Sequence, residues 1–362
     1  MTLALQGVSK VVGGQTHIHK TDLTLEKGTM NVLLGPTSSG KTSLMRLMAG
    51  LDVPNTGTIH WNGEDVTGMR VQDRRVAMVY QQFINYPSMT VYDNIASPMR
   101  LLGKSSDEID AAVRKSADLM KLTPMLQRKP LELSGGQQQR CALARALVKD
   151  AGLVLLDEPL ANLDYKLREE LRIEIPKIFE EAGSIFVYAT TEPEEALLLG
   201  GNTACLWEGR VTQFGPTPTV YRQPIDATTA RVFSDPPMNF VQIRKSSQTL
   251  TFGDGNSAPA TGSLAALADG TYTAGFRPNH LEILQHTASA VSFTAKLVVT
   301  ELTGSETFVH LNHQGERWVG LIHGIHKLNI GEDMKVWLDP SHVYIFDKSG
   351  ALVVPAAYAQ AA

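Results

Sequence analysis

The octapeptide GPTSSGKT, residues 35–42, combines residue types and spacing that suit a chain of phosphate groups. It fits the pattern G-x-x-x-x-G-K-[ST], and it lies between an apolar run that predicts a buried strand and a pattern that predicts a helix. The glycines let the backbone curl so that its amides, together with the helix N-terminus, face phosphate oxygens. A bare glycine-rich turn is the alternative, but the flanking strand and helix favour a nucleotide site.

This segment, called the phosphate loop below, assigns roles to single residues. We expect Lys41 to reach the β- and γ-phosphates and Thr42 to ligate Mg²⁺. The residues predicted to bind the nucleotide here are Gly35, Pro36, Thr37, Ser38, Ser39, Gly40, Lys41, Thr42 and Ser43.

An apolar run, LVLLDEP at residues 153–159, ends in two carboxylates. A buried strand of this kind can deliver Asp157 to the metal beside the phosphate loop. Glu158, the next residue, can then polarise a water for attack on the γ-phosphate. A strand that ends in Asp-Glu is weak evidence alone, but with the phosphate loop it predicts hydrolysis of a phosphoanhydride bond.

A second helix start lies far from the first in sequence, at LSGGQQQR, residues 133–140. Ser134 has the character of an N-cap residue, and Gly135 and Gly136 leave backbone amides exposed. The plain interpretation is a capped helix after a flexible turn. With the other two motifs present, we interpret it as a second anion-binding helix end.

The elements that position these motifs follow from hydrophobic periodicity. Strand patterns alternate with helix patterns as far as about residue 200, which predicts a mainly parallel sheet covered by helices. A helical stretch at about 85–150 interrupts this alternation and predicts an inserted subdomain. Beyond FSDPPMN, residues 233–239, short β patterns and turns dominate. We therefore predict an α/β domain over residues 1–235 and an all-β barrel or sandwich over residues 236–362.

Composition narrows the function classes. The chain has 362 residues, 43% of them hydrophobic and 19% charged, and a net charge of −4, which suits a globular protein without the basic stripe of a nucleic-acid binder. Cys141 and Cys205 lie far apart, so neither a disulfide nor a zinc site is expected. No signal-peptide pattern is present, and no window reaches the ~18 apolar residues of a membrane span. We expect a cytoplasmic protein that reaches a membrane only through partners.

Along the chain the motifs follow the order phosphate loop, LSGGQ helix start, acidic strand end. In this order they resemble the motifs of the nucleotide-binding subunits of ABC transporters, and the resemblance covers essentially the whole chain. The resemblance implies a P-loop NTPase cassette of α/β class with an inserted helical subdomain, and ATP and Mg²⁺ as ligands. In that family two cassettes close head to tail, so each ATP lies between the phosphate loop of one cassette and the LSGGQ helix of the other. By resemblance, the residues that serve the partner's nucleotide are Ser134, Gly135, Gly136 and Gln137.

Two further roles come from the same resemblance. Gln81, in VYQQF, resembles the glutamine that senses the metal and the γ-phosphate, which adds it to Thr42 and Asp157 as a metal-site residue. Asp164, in ANLD, resembles the aspartate that faces the partner cassette.

The segment DRRVAMVYQQFINYPSMTVYDNIASPMRL resembles carbohydrate-type importers, whose ATP-binding subunits power uptake of maltose, sn-glycerol 3-phosphate or glycerol. GFRPNHLEI and LTGSETFVHL, residues 275–283 and 302–311, resemble their OB-like C-terminal accessory domain. This implies two membrane permeases and an extracytoplasmic solute-binding protein as partners, and a place at the cytoplasmic face of the inner membrane. The solute stays open among sugar, polyol, glycerol and glycerol phosphate.

Two departures from the family pattern lie in this chain's own half-site. The family reads T-H-D after the sixth strand, with a switch histidine, whereas this chain reads Thr190-Thr191-Glu192 and no nearby histidine is expected to substitute. The family also carries an aromatic residue that stacks on adenine, where this chain has Val11 or Val12. Because the LSGGQ helix is intact, we predict a heterodimer in which this chain completes the active site of a different cassette. A homodimer with Thr191 as a working donor is the alternative.

Two other functions are weighed against an importer subunit. A soluble ABC-type ATPase that acts on ribosomes or DNA would usually carry two cassettes or a coiled-coil insertion, and this chain shows neither. The β domain can also act as a regulatory binding module, which is compatible with transport.

Overall fold

The computed structural model describes residues 1–149, 151–161, 163–253 and 255–360. Internal contacts divide the chain into Met1–Thr217 and Pro218–Ala362. The sequence predicts the boundary near residue 236, whereas the internal contacts assign residues 218–235 to the second unit. Arg277 shows why, since it donates from Nη1 to the Phe233 carbonyl at 2.8 Å and from Nη2 to the Tyr221 carbonyl at 2.7 Å.

The first unit is a mixture of strands and helices. Its strands are β1 (Thr2–Val12), β2 (Gln15–Glu26), β3 (Met30–Leu34), β4 (Thr56–Trp61), β5 (Glu64–Asp65), β6 (Val76–Val79), β7 (Leu153–Asp157), β8 (Ile185–Thr190), β9 (Asn202–Trp207) and β10 (Arg210–Pro216). Its helices are α1 (Lys41–Ala49), α2 (Val91–Leu101), α3 (Ser106–Leu119), α4 (Gly135–Leu147), α5 (Tyr165–Ala182) and α6 (Pro193–Leu199), and α7 (Thr217–Arg222) begins where this unit ends.

The central sheet has the strand order β10-β9-β3-β8-β7-β6, and all its pairings except β10 with β9 are parallel. Strands β3, β7 and β8 are buried along their whole length, as their uninterrupted apolar runs predict. Because carboxyl ends of parallel strands meet at one edge, the ends of β3, β7 and β8 converge there. A second sheet, β2-β1-β4-β5, is antiparallel.

The inserted helices α2, α3 and α4 lie between β6 and β7 in the chain, within the interval 85–150 given for a helical subdomain. Ser105 caps α3 and Ser134 caps α4, each through a reciprocal capping box. Cys141, in α4, and Cys205, in β9, are both buried.

The second unit is an all-β body with short helices at its ends. Its elements are α8 (Ala227–Val232), β11 (Asn239–Ser246), β12 (Thr249–Phe252), β13 (Ser257–Pro259), β14 (Gly270–Phe276), β15 (Leu281–Glu282), β16 (Val291–Leu302), β17 (Glu306–His313), β18 (Glu316–His323), β19 (Asp333–Leu338), β20 (Tyr344–Phe346), β21 (Leu352–Val354) and α9 (Ala357–Gln360).

Two antiparallel sheets, β13-β12-β11-β14-β20-β21 and β15-β19-β16-β17-β18, share one core in this unit. Trp318 packs edge-on against Phe276 and Phe293 in that core, with ring centroids 5.1 and 5.2 Å apart. Asn239 joins the sheets by donating to the Val319 carbonyl and accepting from its N–H, both at 2.8 Å. The predicted fold class, an α/β P-loop cassette with a helical insertion and an OB-like all-β unit, is confirmed.

Candidate active site

The phosphate loop leaves β3 and enters α1, as the sequence predicts. Gly35 is required because a Cβ there would overlap the Leu206 carbonyl oxygen and the Ser39 side chain. Gly40 has φ 106° and would bring a Cβ within 2.9 Å of Ile18 Cδ1. Both glycines therefore permit a turn that an L side chain would block.

Lys41 and Thr42 lie at the start of α1 and make different contacts. Lys41 Nζ donates to the carbonyl oxygens of Gly35 at 2.8 Å and Pro36 at 3.1 Å, and lies 3.4 Å from Glu158 Oε1. Thr42 Oγ1 donates to Asp157 Oδ2 at 2.7 Å. The structure thus brings the two ends of the predicted site, 115 residues apart in sequence, into direct contact.

Burial governs the electrostatics of this pair of segments. It lowers the pKa of Lys41 from its ordinary value, and the carboxylates of Glu158 and Asp157 oppose that shift. Burial also raises the pKa of Asp157, against the hydrogen bond from Thr42. Both groups are thus held where their charges are costly, and polyvalent ligands of opposite charge relieve that cost.

The carboxylate of Glu158 is held from two sides. Gln81 Nε2 donates to Glu158 Oε2 at 2.9 Å, while Lys41 approaches the other oxygen. The Glu158 backbone has φ 46°, a left-handed conformation uncommon for a residue with a side chain, and its N–H donates to the Ala189 carbonyl at 3.0 Å. The side chain is 18% exposed, so water can reach it.

The tip of β8 adjoins the phosphate loop. The Gly35 N–H donates to the Thr190 carbonyl at 3.3 Å, and Thr190 itself is 2% exposed. The next residue, Thr191, is exposed. Thr191 therefore directly follows the last residue of β8, at the strand tip beside the loop.

A cavity of about 540 Å³ opens over the phosphate loop. Its lining includes the expected residues Thr37, Ser38, Gly40, Lys41, Thr42, Ser43, Gln81 and Glu158, and adds Gln15, Thr16, His17, Glu208 and Gly209. The sequence does not predict these additional residues, because they come from β2 and from the β9–β10 turn. No local motif marks them.

His17 also lines the cavity, whereas the expectation from the sequence is that no nearby histidine substitutes for the missing switch residue. It does so because β2 runs past α1, and the His17 carbonyl lies 3.1 Å from a Cβ built at Gly40.

Val11 and Val12 are 40% and 48% exposed and lie opposite Thr16 and Gln15 in the hairpin register, so they flank the cavity.

The LSGGQ segment forms a separate feature of the same unit. Ser134 Oγ accepts from the Gln137 N–H at 3.3 Å, and Gln137 Oε1 accepts from the Ser134 N–H at 2.9 Å. None of Ser134, Gly135, Gly136 and Gln137 belongs to the described lining of the phosphate-loop cavity. Asp164 caps α5 by accepting from the Leu167 N–H at 3.0 Å.

The residues present fit a magnesium-bound nucleotide. Thr42 Oγ1 and Asp157 Oδ2 supply neighbouring oxygens of the kind that Mg²⁺ takes. Within the described part of the chain, Ser39 Oγ is a buried polar atom with no hydrogen-bond partner. A bound ligand could supply that partner. A parallel sheet, a glycine loop with its lysine, and a strand that ends in Asp-Glu define a P-loop nucleoside-triphosphatase.

Comparison with known proteins identifies the family. The family profile described as "ABC transporter" matches residues 18–161. The trehalose/maltose import ATP-binding protein MalK of Thermococcus litoralis is 36% identical, with 95% of this chain and 97% of that protein covered. The sn-glycerol-3-phosphate import ATP-binding protein UgpC of Yersinia pestis is 32% identical, with 97% and 98% covered. The chain belongs to the ABC transporter family, as an ABC-type ATPase.

Solved structures agree on the cassette. A dimeric bacterial ABC transporter cassette is 26% identical, with a TM-score of 0.55, and the match covers 59% of this chain and 98% of that one. The ATP-binding subunit of another ABC transporter, at 21% identity and a TM-score of 0.57, supports the fold alone. In the part of the chain that the structure describes, no helix is both long enough and apolar enough to span a membrane.

Proposed function

We propose that this protein is the energy-coupling subunit of an ABC importer, which binds and hydrolyses ATP to drive uptake of a carbohydrate-type solute. The observation that carries the proposal is the match to import ATP-binding proteins over 95% or more of the chain, accessory unit included. The relatives named above act on trehalose, maltose or sn-glycerol 3-phosphate. For this chain the solute class is a sugar, polyol, glycerol or glycerol phosphate.

The contacts at the site support a role for each residue in this chemistry. Lys41 exchanges its two carbonyl partners for β- and γ-phosphate oxygens when ATP binds, which frees Glu158 from the ion pair. Glu158 then polarises the attacking water, and Gln81 orients its carboxylate through the 2.9 Å hydrogen bond. Thr42, Asp157 and Gln81 would hold Mg²⁺, which when bound would neutralise charge at the phosphates.

Thr191 determines how strong this half-site is. Its exposed hydroxyl can donate a hydrogen bond to the γ-phosphate, but it is shorter than the imidazole of the family pattern. We propose that this chain pairs with a second, different cassette. Its capped α4, with Ser134, Gly135, Gly136 and Gln137, then completes the partner's site, and Asp164 faces that partner. The homodimer remains the second candidate, because Glu158 is retained and His17 lines the cavity.

A surface cavity of about 720 Å³ on the first unit supports docking of membrane permeases. Its lining joins apolar Pro98 and Leu101 to the cations Arg145 and Lys149, next to Tyr86. Leu101 is 88% exposed, which is high for a large apolar side chain and suits a protein partner. We propose that two permeases dock here and hold the protein at the cytoplasmic face of the inner membrane, while an extracytoplasmic protein delivers the solute.

Reconstitution with candidate permeases and a solute-binding protein tests the whole proposal. Proteoliposomes are assayed for ATP-dependent accumulation of labelled maltose, trehalose, glycerol and sn-glycerol 3-phosphate, with Lys41→Ala as the inactive control. Uptake of one solute that Lys41→Ala abolishes supports the proposal. ATP hydrolysis that stays uncoupled from every permease pair, or that responds to ribosomes or DNA, contradicts it.

A further inference from the structure

A buried carboxylate anchors the tip of β8 from behind. Glu195, in α6, is 5% exposed and accepts hydrogen bonds from Thr190 Oγ1 at 2.6 Å and from the Tyr188 hydroxyl at 3.1 Å. Thr190 Oγ1 also accepts from the Glu192 N–H at 3.0 Å. The position of Thr191 is therefore set by its neighbours on either side.

Two arginines on successive turns of α5 meet this anchored tip. Arg172 Nη2 lies 2.8 Å from Glu192 Oε2 and 3.2 Å from Glu195 Oε1, with its side chain only 10% exposed. Arg168 Nη1 lies 3.2 Å from Glu192 Oε1, and its Nη2 donates to the Ala161 carbonyl at 3.3 Å. The two oxygens of Glu192 are thus shared between two guanidinium groups.

Glu192 stands where the family pattern has aspartate, and its length matters here. An aspartate is one methylene, about 1.5 Å, shorter, so it cannot keep both oxygens at these distances without moving the backbone. The longer side chain allows one carboxylate to bridge Arg168 and Arg172.

Arg168 also contacts the segment that follows Glu158. The Ala161 N–H donates to the Glu158 carbonyl at 3.4 Å, which closes a turn directly after the proposed water-activating residue. The Ala161 carbonyl that accepts from Arg168 belongs to this turn. The same helix begins at the Asp164 cap. Arg168 is therefore in contact with both segments, the strand tip through Glu192 and the turn through Ala161.

We propose that Arg168 is a positioning residue, which fixes the tip that carries Thr191 relative to the turn that carries Glu158. The inference rests on the proposed ATPase function. A guanidinium group suits this task because its planar fork reaches two acceptors at once, whereas an ammonium group is a single point charge. With side-chain exposures of 24% for Arg168 and 42% for Glu192, the pair is partly shielded from water.

Kinetics of Mg-ATP hydrolysis test the proposal with Arg168→Gln, Glu192→Gln and the double variant. Misplacement by about 1 Å costs up to roughly 100-fold in rate, so we expect kcat to fall about ten- to a hundredfold. KM for ATP should stay within about twofold, because the phosphate loop is untouched. The loss in the double variant should be smaller than the product of the two single losses, since both changes remove the Arg168–Glu192 contact. Arg168→Lys should recover only part of the rate.

The matched control is Lys177→Gln, on the same helix. Lys177 pairs with Glu174 at 3.0 Å, with exposures of 61% and 43%, and so represents an ordinary surface ion pair. It should leave kcat unchanged. A loss of kcat in Arg168→Gln that is matched by weaker ATP binding and a lower melting temperature overturns the proposal in favour of a purely structural role.

Hydrogen exchange followed by mass spectrometry gives a readout that does not require turnover. In Arg168→Gln, peptides that contain the Ala161 and Glu192 amides should both exchange faster, and in Lys177→Gln neither should. Unchanged exchange in both peptides overturns the positioning role. If the native chain hydrolyses no ATP under any pairing, the proposed function fails, while the exchange result still decides the role of Arg168.

Discussion

Replacing Thr191 with histidine tests the proposed weakness of this half-site. Thr190 holds the strand tip through its carbonyl contact with Gly35 and its hydroxyl contact with Glu195, so the substitution changes the reach of one side chain and not the path of the backbone. The imidazole Nε2 lies about 2–3 Å farther from Cα than a threonine hydroxyl does. Donor–acceptor distances in protein hydrogen bonds are about 2.5–3.2 Å, so a difference of this size weakens the bond that threonine can make.

The expected gain in kcat follows from the hydrogen bond to the γ-phosphate that histidine can make better than threonine. Removing one preorganised donor costs about 10²–10³ in kcat in comparable sites. A threonine donor that is short but present recovers part of that loss, so we expect Thr191→His to raise kcat about tenfold or more, or about 1.4 kcal/mol of barrier.

Phosphate release from Mg-ATP by the purified chain, under saturating and single-turnover conditions, measures the effect. Thr191→Ala reports whether the native hydroxyl contributes at all, and Lys41→Ala gives the background. A brisk native rate that histidine leaves unchanged or lowers refutes the reasoning. That result favours the homodimer, with Thr191 as a sufficient donor.

Three further predictions concern other parts of the molecule. Val12→Tyr should tighten ATP binding by about 1 kcal/mol or more, because base–aromatic stacking is worth ~1–3 kcal/mol. Calorimetry should show no change in the affinity for inorganic triphosphate, which has no base. Equal gains for both ligands would place Val12 away from the base. Burial lowers the pKa of His280 to about 4, so the unfolded chain binds more protons between about pH 6.5 and 4. Stability against urea should therefore fall by up to about 3 kcal/mol as the pH drops across that window and be fully present above it, and His280→Phe should flatten this slope. Ser134→Ala and Ser105→Ala each remove a capping box and should each cost about 1 kcal/mol of stability. Only the change at Ser134 should slow hydrolysis in the assembled dimer. Equal losses of activity would mean that Ser134 acts only as a helix cap.

Much of the site could be predicted because its motifs are local. The glycines of the phosphate loop are needed for the backbone turn itself, and the structure shows what a side chain at Gly35 would strike. The apolar run that ends at Asp157 predicts a buried strand, and parallel strands bring their carboxyl ends together, which agrees with the 2.7 Å contact between Thr42 and Asp157. The capping box of α4 is likewise encoded within four residues.

The domain division shows where local reading stops. Residues 218–235 precede the change in sequence character near 236, so the sequence groups them with the first unit. Their assignment depends on a buried arginine far along the chain, Arg277, which binds carbonyls of that segment. Nothing in the segment's own sequence announces that partner.

The sequence by itself determined the class of chemistry, because phosphate binding and water activation depend on residue types at fixed short spacings. Only the tertiary structure decided that His17 and Glu208 line the same cavity, and that Arg168 joins the strand tip to the turn after Glu158. The physical reason is that these contacts join strands and helices whose neighbours are chosen by burial of the shared core. Local periodicity predicts that an element is buried, but not which element lies beside it.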